Sequence, residues 1–192
     1  MFYGHKQSFD MTSIRVAAIL VISALSFSSL AQEPGGRLLD YPEVEPSRTA
    51  FVEYSCHVQD YGDTDFFKQP VACGAIGRHK RIEGFKIRLA NGSENVGLTY
   101  MAHIAKQGDT GWTFLNQFVG IKGKKLAMEG VAIKVTGPAA NKYDVYYMVH
   151  MAEHGNSEWC RNGDFCGTRG QGRRVEAIAI YLADKDAKPL RQ

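Results

Sequence analysis

One pattern occurs three times along this chain, and it restricts the fold more than any other feature. Tyr54, Tyr100 and Tyr147 each open a copy, and His57, His103 and His150 follow three residues later. A Gly comes five residues after each His (Gly62, Gly108, Gly155), then an aromatic ring four after that (Phe66, Trp112, Trp159). A second Gly (Gly74, Gly120, Gly167), a Glu (Glu83, Glu129, Glu176) and an apolar residue (Leu89, Val135, Leu182) follow with unchanged spacing. A period of about 46 residues held over seven landmarks predicts one supersecondary unit repeated around an axis.

Within each copy the apolar period is two, which predicts strands. Tyr54, Cys56 and Val58 share one face of a first strand, with Tyr100, Ala102 and Ile104, and Tyr147, Val149 and Met151, in the other copies. The last strand alternates as Glu83, Phe85, Ile87 and Leu89, a pattern repeated from Glu129 and from Glu176. On strict alternation each Glu falls on the apolar face and each His on the opposite one, so the two do not meet. No segment has a helical period. The fold expected is therefore all-β: a pseudo-threefold β-prism of three roughly 46-residue repeats, with a β-trefoil as the alternative. The repeats run about 50–89, 96–135 and 143–182 within a single domain over 50–192. The connectors carry the turn pairs Asn91-Gly92 and Gly137-Pro138.

Residues 1–31 have the three parts of an export signal. Lys6 and Arg15 precede an apolar stretch from Val16 to Leu30, and Ser29-Leu30-Ala31 offers small residues for cleavage before Gln32. Met11 is an alternative start. The stretch is shorter than the ~20 residues that span a bilayer, and no second long apolar run follows, so no membrane span is expected in the mature chain. Residues 32–49, with Pro34, Pro42 and Pro46, read as an extended lead-in. Removing residues 1–31 lowers the formal charge from +3 to +2, which gives no electrostatic footprint for nucleic acid. Two basic runs, Arg78-His79-Lys80-Arg81 and Lys122-Gly123-Lys124-Lys125, stand before the Glu strand and read as solvated turns.

All four cysteines fall in the mature part, an even number in an exported chain, so disulfides are expected. Cys160 and Cys166 flank Asn162-Gly163, a hairpin signal that favours a local bridge, which leaves Cys56 for Cys73. No Cys-x-x-Cys pair supports a metal site. No cofactor is expected.

The run from Tyr through His-Val-Gln and Gly-Thr-x-Gly to Arg-Val-Glu-Ala-x-x-Ile-x-Leu resembles the clostridial hydrophobic repeats with conserved tryptophan, the ChW repeats. His57-Val58-Gln59 and Arg81-Ile82-Glu83 carry the resemblance in the first copy. Tyr147–His150, Gly167–Gly170 and Arg174–Leu182 carry it in the third. It implies a secreted or surface-displayed β module, often in tandem, that engages cell-surface material or large substrates. The family places a Trp directly after the first Gly, whereas this chain has Asp63, Asp109 and Asn156 there.

The candidate binding residues are accordingly Asp63, Phe66, Asp109, Trp112, Asn156 and Trp159. A turn presenting a carboxylate or amide, a hydroxyl and a ring suits carbohydrate, because polar groups take sugar hydroxyls while the ring stacks on the sugar's apolar face. Three such turns would add avidity on a polymer. The same residues also make ordinary Asx turns and core plugs. Catalytic residues are not expected: no nucleophile elbow, phosphate loop or zinc helix is present, and the carboxylates recur with identical neighbours. Two functions follow: a secreted lectin-like module, or a secreted protein-binding module such as an inhibitor, immunity or host-interaction protein.

Overall fold

The alternating Tyr, Cys and Val positions of the first copy form a strand whose apolar side is wholly buried, and the other two copies repeat it. The computed structural model describes residues 44–90 and 95–187, all within one unit, Ala31–Gln192. The expected export signal, the lead-in up to residue 43 and the turn Asn91-Gly92 lie outside the described residues.

The first copy comprises β1 (Val52–Val58), β2 (Gly62–Asp63), β3 (Phe67–Lys68), β4 (Cys73–Gly74) and β5 (Ile82–Leu89). The second comprises β6 (Gly97–Ile104), β7 (Gly108–Asp109), β8 (Thr113–Phe114), β9 (Phe118–Gly120) and β10 (Met128–Thr136). The third comprises β11 (Tyr143–Met151), β12 (Gly155–Asn156), β13 (Cys160–Arg161), β14 (Cys166–Gly167) and β15 (Val175–Asp184). Two long strands pair antiparallel in each copy, and two short ones pair with the first of them. The described residues contain no helix, and the strands form three separate five-stranded sheets. That arrangement is prism-like and all-β; a trefoil would run its strands into one shared barrel.

The fifth strand of each sheet comes from the following copy. β9 of copy two pairs with β5, β14 of copy three pairs with β10, and β4 of copy one pairs with β15. The exchange is cyclic, so the last sheet is completed by the first copy and that edge is covered. The second landmark glycine marks this contact. A Cβ on Gly74, Gly120 or Gly167 would lie 2.2–2.4 Å from the carbonyl oxygen of Glu176, Glu83 or Glu129, respectively, and all three have positive φ. Only glycine allows that approach.

The core lies between the sheets. Tyr54, Cys56, Val58, Phe85 and Ile87 of copy one meet their counterparts from the other copies there. β5, β10 and β15 touch one another pairwise about the axis. Each fully buried large apolar side chain contributes about 1.5–3 kcal/mol, so three such sets support the domain. The disulfides Cys56–Cys73 and Cys160–Cys166 join the expected partners, with Cα separations of 6.1 and 5.7 Å. The described end of the lead-in is tied to the last strand: Ser47 N–H donates to Leu182 O (2.7 Å), and Ser47 Oγ donates to Asp184 (2.8 Å). Among the described residues, no helix is long and apolar enough to cross a membrane.

Candidate functional site

The junction between copies collects most of the landmark polar residues. The long strands pair with one residue skipped: His57 faces Gly84 and Val58 faces Ile82, which leaves Glu83 as a bulge. Glu129 and Glu176 are skipped in the same way. Strict alternation fails at this point, because the bulge takes the Glu out of the apolar face. His57 Nε2 consequently lies 3.8 Å from Glu83 Oε2, so these two side chains do meet, contrary to the expectation from period two. All three Glu side chains are buried, at 3%, 2% and 2% exposure.

An unpaired buried charge is very costly, so partners are required. Glu83 accepts from Arg81 Nε and Nη2 (3.1 and 2.6 Å) and from Gly123 N–H of the next copy (2.7 Å). Glu176 accepts from Arg174 Nε (3.1 Å). Glu129 accepts from Gly172 N–H (3.1 Å), but Ala127 stands where the other copies carry Arg, and Glu129 Oε2 has no hydrogen-bond partner among the described residues.

The Asp and Asn candidates belong to the same junctions. Each holds the Nδ1 of its own copy's His: Asp63 to His57 (2.7 Å), Asp109 to His103 (2.5 Å) and Asn156 to His150 (2.7 Å). In the first two cases the following copy adds a cation. Lys122 Nζ donates to both oxygens of Asp63 (2.6 and 2.7 Å), and Arg169 donates to both oxygens of Asp109 (3.0–3.2 Å). The Lys122 hydrogen bond lowers the Asp63 pKa below the usual carboxylate value, and the Arg169 hydrogen bond does the same for Asp109. Lys122 also lies 4.5 Å from the centroid of the Phe118 ring, and Arg169 lies 3.5 Å from that of Phe165.

The third junction differs in a coordinated way. Where Asp63 meets Lys122 and Asp109 meets Arg169, Asn156 has Ile76 at the corresponding position. Where Phe118 sits over Gly84 and Phe165 over Gly130, Ala72 packs with Ala177. Charge and size change together, so these positions form matched sets that hold copies to each other.

The hydroxyls of the suggestive turns are also occupied. Thr64, Thr110 and Ser157 each accept from a backbone N–H of the first strand at 3.0–3.2 Å and donate to the carbonyl of the next residue. The Asp or Asn and the aromatic of each turn have different partners: Lys122, Arg169 and the His rings for the former, Arg88, Lys134 and Tyr181 for the latter.

The three aromatics lie over the cross-strand pair of their own sheet. Phe66 is covered by Arg88, whose guanidinium carbon is 3.7 Å from the ring centroid and which donates to Glu53 (2.8 Å). Trp159 meets Tyr181 edge-on at 5.1 Å, and Tyr181 stacks on Tyr146 at 5.0 Å. In the middle copy the pair is Thr99 and Lys134, and Lys134 Nζ lies 4.3 Å from the Trp112 centroid. Thr99 cannot hold Lys134 as Glu53 holds Arg88, and its own hydroxyl is buried with no hydrogen-bond partner among the described residues. Trp112 remains 45% exposed.

Phe114 was not among the candidates, although it faces Thr99 across the β6–β8 pair and is 62% exposed. Its signal was available: Lys68 and Arg161 occupy the same position in the other copies. Two exposed rings therefore flank Thr99 on one sheet face. Tyr61, 51% exposed, was also passed over. Among the described residues, no group of three His, Cys, Asp or Glu side chains could hold a metal ion.

The repeat unit is now defined as a His-to-terminal-strand segment with a bulged Glu, a close-approach Gly and a strand lent to the neighbouring sheet. The family model described as Clostridial hydrophobic W (ChW) matches residues 57–91 and 150–184, and both matches begin on the landmark His. These two copies are ChW repeats. The middle copy lies outside the match, and it is the copy that lacks cysteine and the Arg beside its Glu. Cys160–Cys166 lies within the second matched segment, and Cys56–Cys73 joins the residue just before the first match to one inside it. No curated protein and no solved structure matches the chain.

Proposed function

We propose that this chain is a secreted, non-enzymatic, lectin-like binding module that engages cell-surface or cell-wall carbohydrate. The observation that carries the reading is the open pair Trp112 and Phe114, with the Lys134 ammonium 4.3 Å from the Trp112 centroid. Exposed rings give an apolar platform for sugar C–H groups, and the Lys134 ammonium supplies hydrogen bonds. Phe66 is capped by Arg88, and Trp159 is packed against Tyr181, so only the middle copy offers this platform. Binding then resides at one face rather than at three equivalent turns. Support for secretion comes from the two disulfides together with the basic and apolar start of the chain. Support for a non-enzymatic role comes from the His, Asp and Glu side chains, which are engaged in scaffold contacts at the first two junctions.

A glycan array with the intact domain tests the reading. Saturable binding that falls at least tenfold in Trp112→Ala and Phe114→Ala, but persists in Phe66→Ala, is expected. An array without hits, together with a stable protein complex captured through the same face, would replace this reading with a protein-binding one.

A further inference from the structure

The two basic runs of the sequence converge. Arg81 from the end of copy one meets Gly123 and Lys125 from copy two around a pocket of about 410 Å³, which His57, Gln59, Asp60 and Glu83 complete, and Lys80 pairs with Asp60 of that lining. That size suits a small ligand. Glu83 lies in the lining with both oxygens occupied, one by Arg81 and the other by Gly123 N–H. Asp60 is neutralised by Lys80 at 2.5 Å and also accepts from the Gln59 amide (3.3 Å). Arg81 is fixed in place by Glu83 and by Gln59 Oε1 (2.7 Å), which uses three of its five N–H groups. Two guanidinium N–H groups stay free, and the Lys125 ammonium has no partner among the described residues. Once internal pairs are made, the pocket offers donors and one unmatched positive charge.

The pocket is also specific to this junction. Where copy one has Gln59 and copy two has Lys125, the second junction has Ala105 and Gly172, and the third has Ala152 and His79. Residues required by the scaffold recur three times; these do not. We propose that this pocket binds a small oxyanion, a carboxylate or a sulfate or phosphate group, held by Lys125 and the outer N–H groups of Arg81. It shares no residue with the Trp112 platform and does not depend on it.

Titration of the full domain with sodium glucuronate, sodium sulfate and uncharged glucose, at constant ionic strength and followed by amide NMR shifts, tests the proposal. Saturable shifts at the Gly123 backbone amide and the Gln59 side-chain amide are expected with at least one anion and not with glucose. A response to glucuronate alone identifies a carboxylate ligand, and a response to sulfate alone identifies a tetrahedral oxyanion. Lys125→Gly and Gln59→Ala should each weaken binding at least tenfold without unfolding, since Gly172 and Ala105 occupy the corresponding places in the second junction. Lys125→Arg should restore it. The proposal is overturned if no anion gives saturable shifts, if the shifts spread evenly over the basic surface, or if both variants bind as tightly as the parent.

Discussion

Ile180 donates its backbone N–H to Tyr54 Oη at 3.0 Å, across 126 residues of sequence. The same hydroxyl donates to Val71 O (2.6 Å), so one buried atom ties the last strand of the third copy to a loop of the first. Tyr100 repeats the arrangement, accepting from Ile87 N–H (3.2 Å) and donating to Gln117 O (2.5 Å). Each tyrosine thus clasps the preceding copy, and Tyr54 closes the ring.

Replacing Tyr54 by Phe would leave both the Ile180 N–H and the Val71 carbonyl without this partner inside the core. Such orphaned groups cost about 1–3 kcal/mol, and the cavity change from losing one hydroxyl is small. Urea unfolding of Tyr54→Phe should show a loss of that size, with a similar loss for Tyr100→Phe. A change within about 0.5 kcal/mol, the scale of an ordinary surface substitution, would show that the clasp is dispensable.

The tyrosines also set an alkaline limit. Burial raises the pKa of Tyr54 and Tyr100, and pushes that of Tyr147 up to about 12. A phenol whose folded pKa exceeds its unfolded value of about 10 gives stability that is fully present below pH 10. That stability is lost as pH rises from there through the folded pKa, by up to about 1.4 kcal/mol per pH unit per tyrosine. Unfolding monitored between pH 9 and 12 should therefore steepen above pH 10. The ultraviolet signal of phenolate should appear for these three residues only together with loss of the fold. Phenolate formation by all nine tyrosines in a still-folded chain would refute this.

The sequence made the repeat and the core faces legible because the period fixes which residues share a face. Tyr54, Cys56 and Val58 are buried as alternation requires. It did not reveal which copy lends which strand, since spacing is identical whether Gly120 pairs within its own copy or with Gly84. Each sheet consequently contains four strands of its own copy and one of the following copy. The bulge at Glu83 was hidden for a related reason: a one-residue shift in register leaves the apolar pattern intact while redirecting the carboxylate. The candidate site was legible only in part. Asp63, Asp109 and Asn156 stood out because they recur, but recurrence marks scaffold. Phe114, Lys125 and Gln59 stand out only when the copies are compared for what differs.

The acid limit follows from two of the three junctions. Asp63 and Asp109 have folded pKa values lowered by Lys122 and Arg169, so the stability they provide is present above the unfolded value of about 4 and lost as pH falls through the folded one. Both pairs are solvent-exposed, so each is worth no more than about 1 kcal/mol. Melting temperature measured from pH 6 down to pH 2 at low salt should fall less steeply in the Asp63→Asn, Asp109→Asn double variant than in the parent. Asn156, already neutral opposite Ile76, supplies the reference junction within the same molecule. Identical acid slopes in parent and variant would remove these pairs from the account.

The middle copy carries a correctable defect. The backbones at Arg81, Ala127 and Arg174 are equivalent, since their carbonyls accept from Gln59, Ala105 and Ala152 N–H at 3.0, 2.9 and 3.0 Å. Arg81 and Arg174 reach Glu83 and Glu176, whereas Glu129 Oε2 is buried without a partner. Ala127→Arg should supply that partner and stabilise the domain by roughly 1 kcal/mol, a rise of about 2–4 °C in Tm. Ala127→Met adds comparable bulk without donors and should give a smaller rise. In a Glu129→Gln background, the advantage of Arg over Met should shrink, because the guanidinium then meets a neutral amide. Equal melting temperatures for Ala127→Arg and Ala127→Met in both backgrounds would mean that packing, not charge, is what the Arg of the other two copies contributes.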